Sequence, residues 1–425
     1  MDRAADIVGS TTPAARGRRC TRAKPRAHAG TSPGTSACAL RRCHPPVRLV
    51  TGIRWRPSEA CAKVRPNVAD RFDISQRKKD HLALCAGPNV AFREKGTLLD
   101  QVELVHCALP EMHADEVDST TMLLGKRLAA PVIVAAMTGG TDVAAEINRD
   151  LARAAEELGL GFGLGSQRAM FERPDTTWTF QVRDVAPSML LLGNLGMVQA
   201  RKMSTAEIEA LCRTVGADAL CIHLNPAMEI VQPGGDRDFR GGLEVLARLV
   251  QELSIPVVAK ETGCGLSRAM GERIVETGVR TVDTSGAGGT SWVAVEEHRA
   301  VDPDWKAVAN ELWDWGIPTA ASVLQLQGLG LDVVATGGVR TGLDAARAVA
   351  LGATAAGMAA QVLKAHKVGG YEGAKQFLQR VVMTVRSAML LTGCRTVEEF
   401  RRTPKRLGPE LARWRPDAPV YTTYP

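Results

Sequence analysis

The chain has 425 residues, 45% of them hydrophobic, 4% aromatic, with 41 glycines, enough for one large α/β barrel or two ordinary domains. The formal charge of +7 belongs to residues 1–70, which hold 14 Lys/Arg against 4 Asp/Glu; the remainder, with 39 basic and 42 acidic residues, gives no general signal for nucleic acid. No apolar run reaches the roughly 18 residues of a membrane span, and Cys85, Cys107, Cys212, Cys221, Cys264 and Cys394 lack zinc spacing, so they read as free thiols of a reducing compartment and the cytoplasm is the expected location.

Residues 1–70 are rich in Arg, Ala, Pro, Gly, Ser and Thr with little apolar periodicity, and are expected to be a disordered basic extension. Three origins compete: an organelle targeting peptide, an arm for nucleic acid or an anionic surface, or an upstream extension never selected to fold. Trp55 is its one aromatic side chain able to stack on bases, so nucleic acid is unsupported. Structure is expected from about Ile74. Arg77-Lys78-Lys79-Asp80-His81 then places three cations and an imidazole within one turn, either a solvated helix start or a clamp for a diphosphate. Residues 98–111 read as an opening strand or loop, with His106 and His113 structural.

From Pro131 short apolar runs alternate with amphipathic helical stretches. Strands are expected at 131–136, 161–165, 189–193, 219–223, 256–260, 281–284, 332–336 and 354–358. Helices are expected at 147–158, 205–215, 242–253, 267–277 and 343–351, with a closing helix at 371–391. Eight such units predict a (β/α)8 TIM barrel over residues 71–400 and a C-terminal tail from 401. A doubly wound sheet is the alternative, but no G-x-G-x-x-G opens the first unit. The longer insertion 290–320, with Trp292, Trp305, Trp313 and Trp315, is expected to form a lid or a subunit contact.

Ligands of parallel α/β proteins meet the C-terminal ends of the strands. Here those ends carry Met137-Thr138-Gly139-Gly140, Ser166-Gln167-Arg168, Asn194, His223-Leu224-Asn225, Lys260-Glu261, Thr284 to Thr290, Gly337-Gly338-Val339-Arg340 and Met358-Ala359-Ala360. The fourth end continues as HLNPAMEIVQPGGDRDF. Its lone carboxylate, Glu229, beside His223 and Asn225, suits a hard divalent cation shared with phosphate oxygens; a capped strand end with a solvated loop is the plain alternative. Gly337-Gly338 and the small residues after the last strand have the form of a barrel phosphate site, with glycine expected so that backbone N–H groups approach the anion. Lys260 is expected either against the pyrimidine edge of a flavin or in a buried ion pair with Glu261 or Asp283.

These motifs together (RKKDH, AMTGGT, GLGSQR, GNLG, HLNPAMEIVQPGGDRDF, VAKETGCGLS, DTSGAGGTSW, ATGGVR) resemble, in order from about Arg77 to Met389, type 2 isopentenyl-diphosphate isomerase, the FMN-dependent family of isoprenoid synthesis. The resemblance implies interconversion of isopentenyl and dimethylallyl diphosphate with FMN reduced by NADPH, Mg2+, and a proton shuttled near the flavin N5. By motif position it assigns FMN to Ala136, Met137, Thr138, Ser166, Asn194, Lys260, Thr290, Gly338, Arg340, Ala359 and Ala360. It assigns the diphosphate to Arg77, Lys78, Gln167 and Arg168, with His223 and Asn225 close by, the cation to Glu229, and the catalytic positions to His223, Asn225 and Met228. A homo-oligomer, tetramer or octamer, goes with it.

One position departs from that pattern: Met228 stands where the family has Gln, and a thioether is only a weak acceptor. An amide is no useful acid or base near neutral pH, so its role would be positioning, and activity is expected to persist. Competing functions are an FMN α-hydroxy-acid oxidase or dehydrogenase, a flavin-binding protein that has lost catalysis through Met228, and an interaction protein acting through the basic arm. The oxidase needs a His near a late strand end, which the loop DTSGAGGT lacks; His298 is the nearest downstream.

Overall fold

Strand residues alternate between two faces, so the order of apolar side chains fixes which of them meet. The computed structural model describes residues 80, 81, 83–85, 87 and 90–417. Eight parallel strands close a barrel in sequence order: β1 Val132–Val134, β2 Gly161–Gly163, β3 Leu191–Gly196, β4 Ala219–Leu224, β5 Val257–Glu261, β6 Thr281–Asp283, β7 Asp332–Ala335 and β8 Ala355–Met358. Each expected strand is present. β3 and β4 run longer than the sequence suggests, paired as far as Gly196 opposite His223.

Val132, Val134, Leu191, Leu220, Ile222, Val257 and Ala259 face outward into the main core against the helices. The residues between them, Ile133, Leu192, Cys221 and Val258, join Val334 and Ala355 in a smaller cluster inside the ring. Leu123 and Leu128, from the antiparallel pair 121–123 and 126–128, close that inner cluster near the strand starts. Around the barrel run α1 Asp142–Glu157, α2 Thr205–Val215, the short α3 Pro226–Val231, α4 Gly242–Glu252 and α5 Arg268–Glu276. The insertion adds α6 Trp292–Arg299 and α7 Pro303–Glu311, and the ring ends with α8 Gly342–Ala350 and α9 Ala360–Leu391. Their starts follow from the sequence: the Thr141 hydroxyl caps α1, and Ser204 with Glu207 and Thr341 with Asp344 form capping boxes on α2 and α8.

The stretch from residue 401 does not stand apart as a tail over the part described. Residues 405–407 pair antiparallel with 102–104, and Phe400 and Leu411 are buried in the main core. The insertion packs as a wall: Val293 of α6 and Ala309 of α7 meet Val231 of α3, with Ala227, Ile230 and Leu312 around them. Trp313 is buried and its indole N–H donates to the Ala91 carbonyl at 2.9 Å, whereas Trp305 and Trp315 are exposed. No helix among the described residues is long and apolar enough to cross a membrane.

Candidate active site

One step up each strand from the inner apolar layer, the alternation turns polar. Cys221 is followed two residues on by His223, Val258 by Lys260, Leu192 by Asn194, and Val334 by Thr336. The register sets these as neighbours: Gly196 opposite His223, His223 opposite Lys260, and Lys260 opposite Asp283. A chemically dense layer therefore crowns the barrel on the face where the strands end, around a cavity of about 530 Å³, a size usual for a small-molecule site.

Within this layer the groups hold one another. The Asn194 amide donates to the Leu164 carbonyl at 3.1 Å, which turns its oxygen toward His223 Nδ1 at 2.8 Å. That oxygen can only accept, so Nδ1 carries the hydrogen of this contact. Gly196 abuts the same ring, since a Cβ there would lie 2.9 Å from His223 Nε2. Lys260 is 8% exposed; its ammonium lies 3.1 Å from Asp283 and donates to the Glu261 carbonyl at 3.1 Å. The expected ion pair is the one with Asp283, and the ammonium-bearing residue also lines the cavity. Thr336 and the Ser285 backbone N–H hold the other Asp283 oxygen. Glu261 turns away, accepting from the backbone N–H groups of Thr262, Cys264 and Gly265; burial pushes its carboxyl up to about 8 against those bonds and against Lys260.

The fourth strand end leads into α3, opened by Pro226 at its first turn. Glu229, 8% exposed, accepts from Asn225 Nδ2 at 2.8 Å and from the Asp236 backbone N–H at 2.9 Å. The Met228 sulfur lies 3.9 Å from the same Asn225 nitrogen. Among the described residues no group of three His, Cys, Asp or Glu is placed to hold a metal by itself. A cation at Glu229 must take most of its ligands from elsewhere.

All eleven residues expected at FMN, Ala136, Met137, Thr138, Ser166, Asn194, Lys260, Thr290, Gly338, Arg340, Ala359 and Ala360, line this one cavity, and so do Arg168, His223, Asn225, Met228 and Glu229. Gln167 does not. Its side chain is 1% exposed and committed beneath the layer, donating to the Leu211 carbonyl at 3.2 Å and accepting from the Asn194 backbone N–H at 2.9 Å; it is no diphosphate contact in this geometry. Arg77 and Lys78 lie outside the described residues, but His81 of the same cluster lines the cavity, 2.8 Å from the fully buried Glu296.

Gly337 and Gly338 sit at φ 96° and 70°, and a Cβ on Gly338 would strike Thr97 and the Gly288 carbonyl. Glycine is required there by left-handed backbone and by the neighbouring loop, a different reason from open access to an anion. Ser285, from the strand end Thr284 to Thr290, also lines the cavity, as do Gln199, Gln232, Thr262 and Lys364, which were not singled out as site residues. Only Gln232 had a signal, its spacing three residues after Glu229. His298 stands edge-on to Trp313 with ring centroids 5.7 Å apart and does not line the cavity.

The polar layer suits an FMN. Lys260 offers a fixed cation deep inside, while the rim formed by Gly337-Gly338, Arg340, Lys364 and the start of α9 offers backbone N–H groups and positive charge. A family model described as FMN-dependent dehydrogenase matches residues 71–173 and 223–406. Among solved structures, a mandelate oxidase variant with a monooxide FMN adduct is 22% identical with a TM-score of 0.56, covering 76% of this chain and 95% of that one, a likeness of fold. Isopentenyl-diphosphate delta-isomerase of Pyrococcus furiosus is 43% identical over 337 residues, 77% of this chain and 85% of its own. The Synechococcus sp. protein of the same name is 46% identical over 301 residues, 70% of this chain and 86% of its own. At such identity along most of the relatives' length, the chain belongs to the isopentenyl-diphosphate delta-isomerase family, carried on an FMN-dependent dehydrogenase barrel.

Proposed function

We propose that the chain interconverts isopentenyl diphosphate and dimethylallyl diphosphate, adding a proton at one allylic end and removing one at the other. Bound and reduced, FMN supplies the acid and base for that exchange near its N5. The observation that carries this reading is Glu229 at the cavity wall beside His223 and Asn225, in a site whose late strand ends carry no histidine. An α-hydroxy-acid oxidation needs such a histidine as base, and His298 is engaged with Trp313.

The chain's own residues divide the work. Lys260, fixed by Asp283, holds positive charge where a reduced flavin ring is anionic. Arg340, Lys364 and the first turn of α9 hold the FMN phosphate. Asn194 orients the His223 ring at the cavity wall. Arg168, steadied by Glu172 at 2.7 Å, joins Arg77 and Lys78 at the diphosphate. Glu229 is the carboxylate that would hold a Mg2+ shared with that diphosphate. Its fit rests on the donor set: a carboxylate that lines the cavity and is held by Asn225 and the Asp236 N–H has acceptor capacity beyond those two bonds. NADPH as reductant, a cytoplasmic location and assembly into a tetramer or octamer complete the reading, the last supported by the exposed Trp305 and Trp315 rings. Purified protein given isopentenyl diphosphate, FMN, NADPH and Mg2+ should form dimethylallyl diphosphate and lose that activity with EDTA. Oxidation of mandelate without any isomer formed would overturn it.

A further inference from the structure

Glu229 of α3 and Gln232, the residue that ends that helix, both line the cavity. A carboxylate has about four acceptor positions. Asn225 Nδ2 occupies one at 2.8 Å, the Asp236 backbone N–H a second at 2.9 Å and Gln232 Nε2 a third at 3.5 Å. One position remains, which makes Glu229 a single-point ligand. Magnesium bound through one carboxylate oxygen keeps several waters and takes its remaining ligands from phosphate. Those waters are strong donors and need acceptors. Gln232 is 4% exposed, and its Oε1 is a buried acceptor with no partner. Buried acceptors are almost always satisfied. The amide does not gain by turning over, because Oε1 would then face the Glu229 carboxylate.

We propose that Gln232 is a positioning residue of the cation site: Oε1 accepts from a water coordinated to the Mg2+ at Glu229, and Nε2 steadies the carboxylate. This rests on the Mg2+ reading given above. The test uses the full FMN-loaded chain with inorganic pyrophosphate, following free Mn2+ by electron paramagnetic resonance. Gln232→Met keeps the length but removes the acceptor and should weaken Mn2+ binding about 10–100-fold, the usual effect of losing an outer-shell partner, with flavin absorbance unchanged. Gln232→Glu restores an acceptor at the same reach and should bind Mn2+ at least as tightly as the wild type. Glu229→Gln should abolish binding. Loss in Glu229→Gln with no change in Gln232→Met overturns the proposal alone, and so does equal weakening in Gln232→Met and Gln232→Glu. Unchanged Mn2+ binding in Glu229→Gln removes the cation reading and the proposal with it.

Discussion

Met228 lines the cavity with its sulfur beside the Asn225 amide, while Asn225 gives its shorter bond to Glu229. The neighbouring groups are therefore held without the amide that the family places at 228. If that amide only positions substrate, its loss is worth about one hydrogen bond, roughly 0.5–1.5 kcal/mol, or around tenfold in rate. Met228→Gln should raise the isomerase rate by about tenfold or less under saturating FMN, Mg2+ and NADPH. A rise from undetectable activity would favour a flavoprotein that has lost catalysis. Glu261 gives a second expectation. Its carboxyl is raised from its ordinary 4.5 to about 8 by burial, so between those values the folded chain binds more protons than the unfolded one. Stability from this group is complete below about pH 4.5 and is lost as the pH rises through about 8. Glu261→Gln keeps an acceptor for the three backbone N–H groups and cannot ionise. Melting temperatures of the FMN-loaded protein between pH 5 and 8.5 should fall with pH in the wild type and less steeply in the variant. Parallel curves would show that the Glu261 carboxyl ionises normally in the fold.

α3 is six residues long, too short to hold its place by its own hydrogen bonds, and it carries Met228 and Glu229. Its outer residues Ala227, Ile230 and Val231 are seated on α6 and α7, so the insertion buttresses the helix that carries Glu229. Val293→Ala, at a residue 2% exposed, should cost roughly 1–3 kcal/mol of stability. It should raise KM for the diphosphate and the Mg2+ needed for half activity, with FMN affinity unchanged. A change in FMN affinity alone would mean that the wall serves the flavin instead. That buttressing was not readable from the sequence, where four tryptophans signalled a lid or contact surface without saying what they touch. The barrel itself was legible, because each strand is a short apolar run whose inner side chains turn polar at one end. Boundaries failed where glycine serves packing. Gly193 reads as a strand end, yet β3 continues to Gly196, and a Cβ at 193 would strike Gln167. Gly369 and Gly370 are non-helical inside α9, which hid its first turns at the phosphate rim and left only the part from Tyr371 visible. The pairing of 102–104 with 405–407 has no local signal at all, since its register is set by contacts across most of the chain.

The chain as a whole combines a balanced barrel with 70 leading residues of net charge +10. The family match begins only at residue 71, and the described residues close their own barrel and core. We therefore expect the first 70 residues to be dispensable for catalysis, while the cations just after them are not. His81 follows Lys78 by three positions in the sequence, and it is tied to Glu296 at the cavity, with Arg299 bonded to the same Glu296 at 2.6 Å. The Arg77-Lys78-Lys79 cluster immediately precedes this anchored stretch in the sequence. A chain beginning at Ile74 should fold, bind FMN and turn over like the full chain. One beginning at Asp80 should fold and bind FMN but lose the charge-assisted bonds to the diphosphate, each worth about 1.5–3 kcal/mol. Its KM for isopentenyl diphosphate should rise by about 10-fold or more, and the salt sensitivity of KM should fall, because fewer cations then attract the substrate. Failure of the longer chain to fold would show that residues before 74 complete the barrel. An unchanged KM in the shorter one would remove Arg77 and Lys78 from the diphosphate site and leave Arg168 and the cation at Glu229 to bind it.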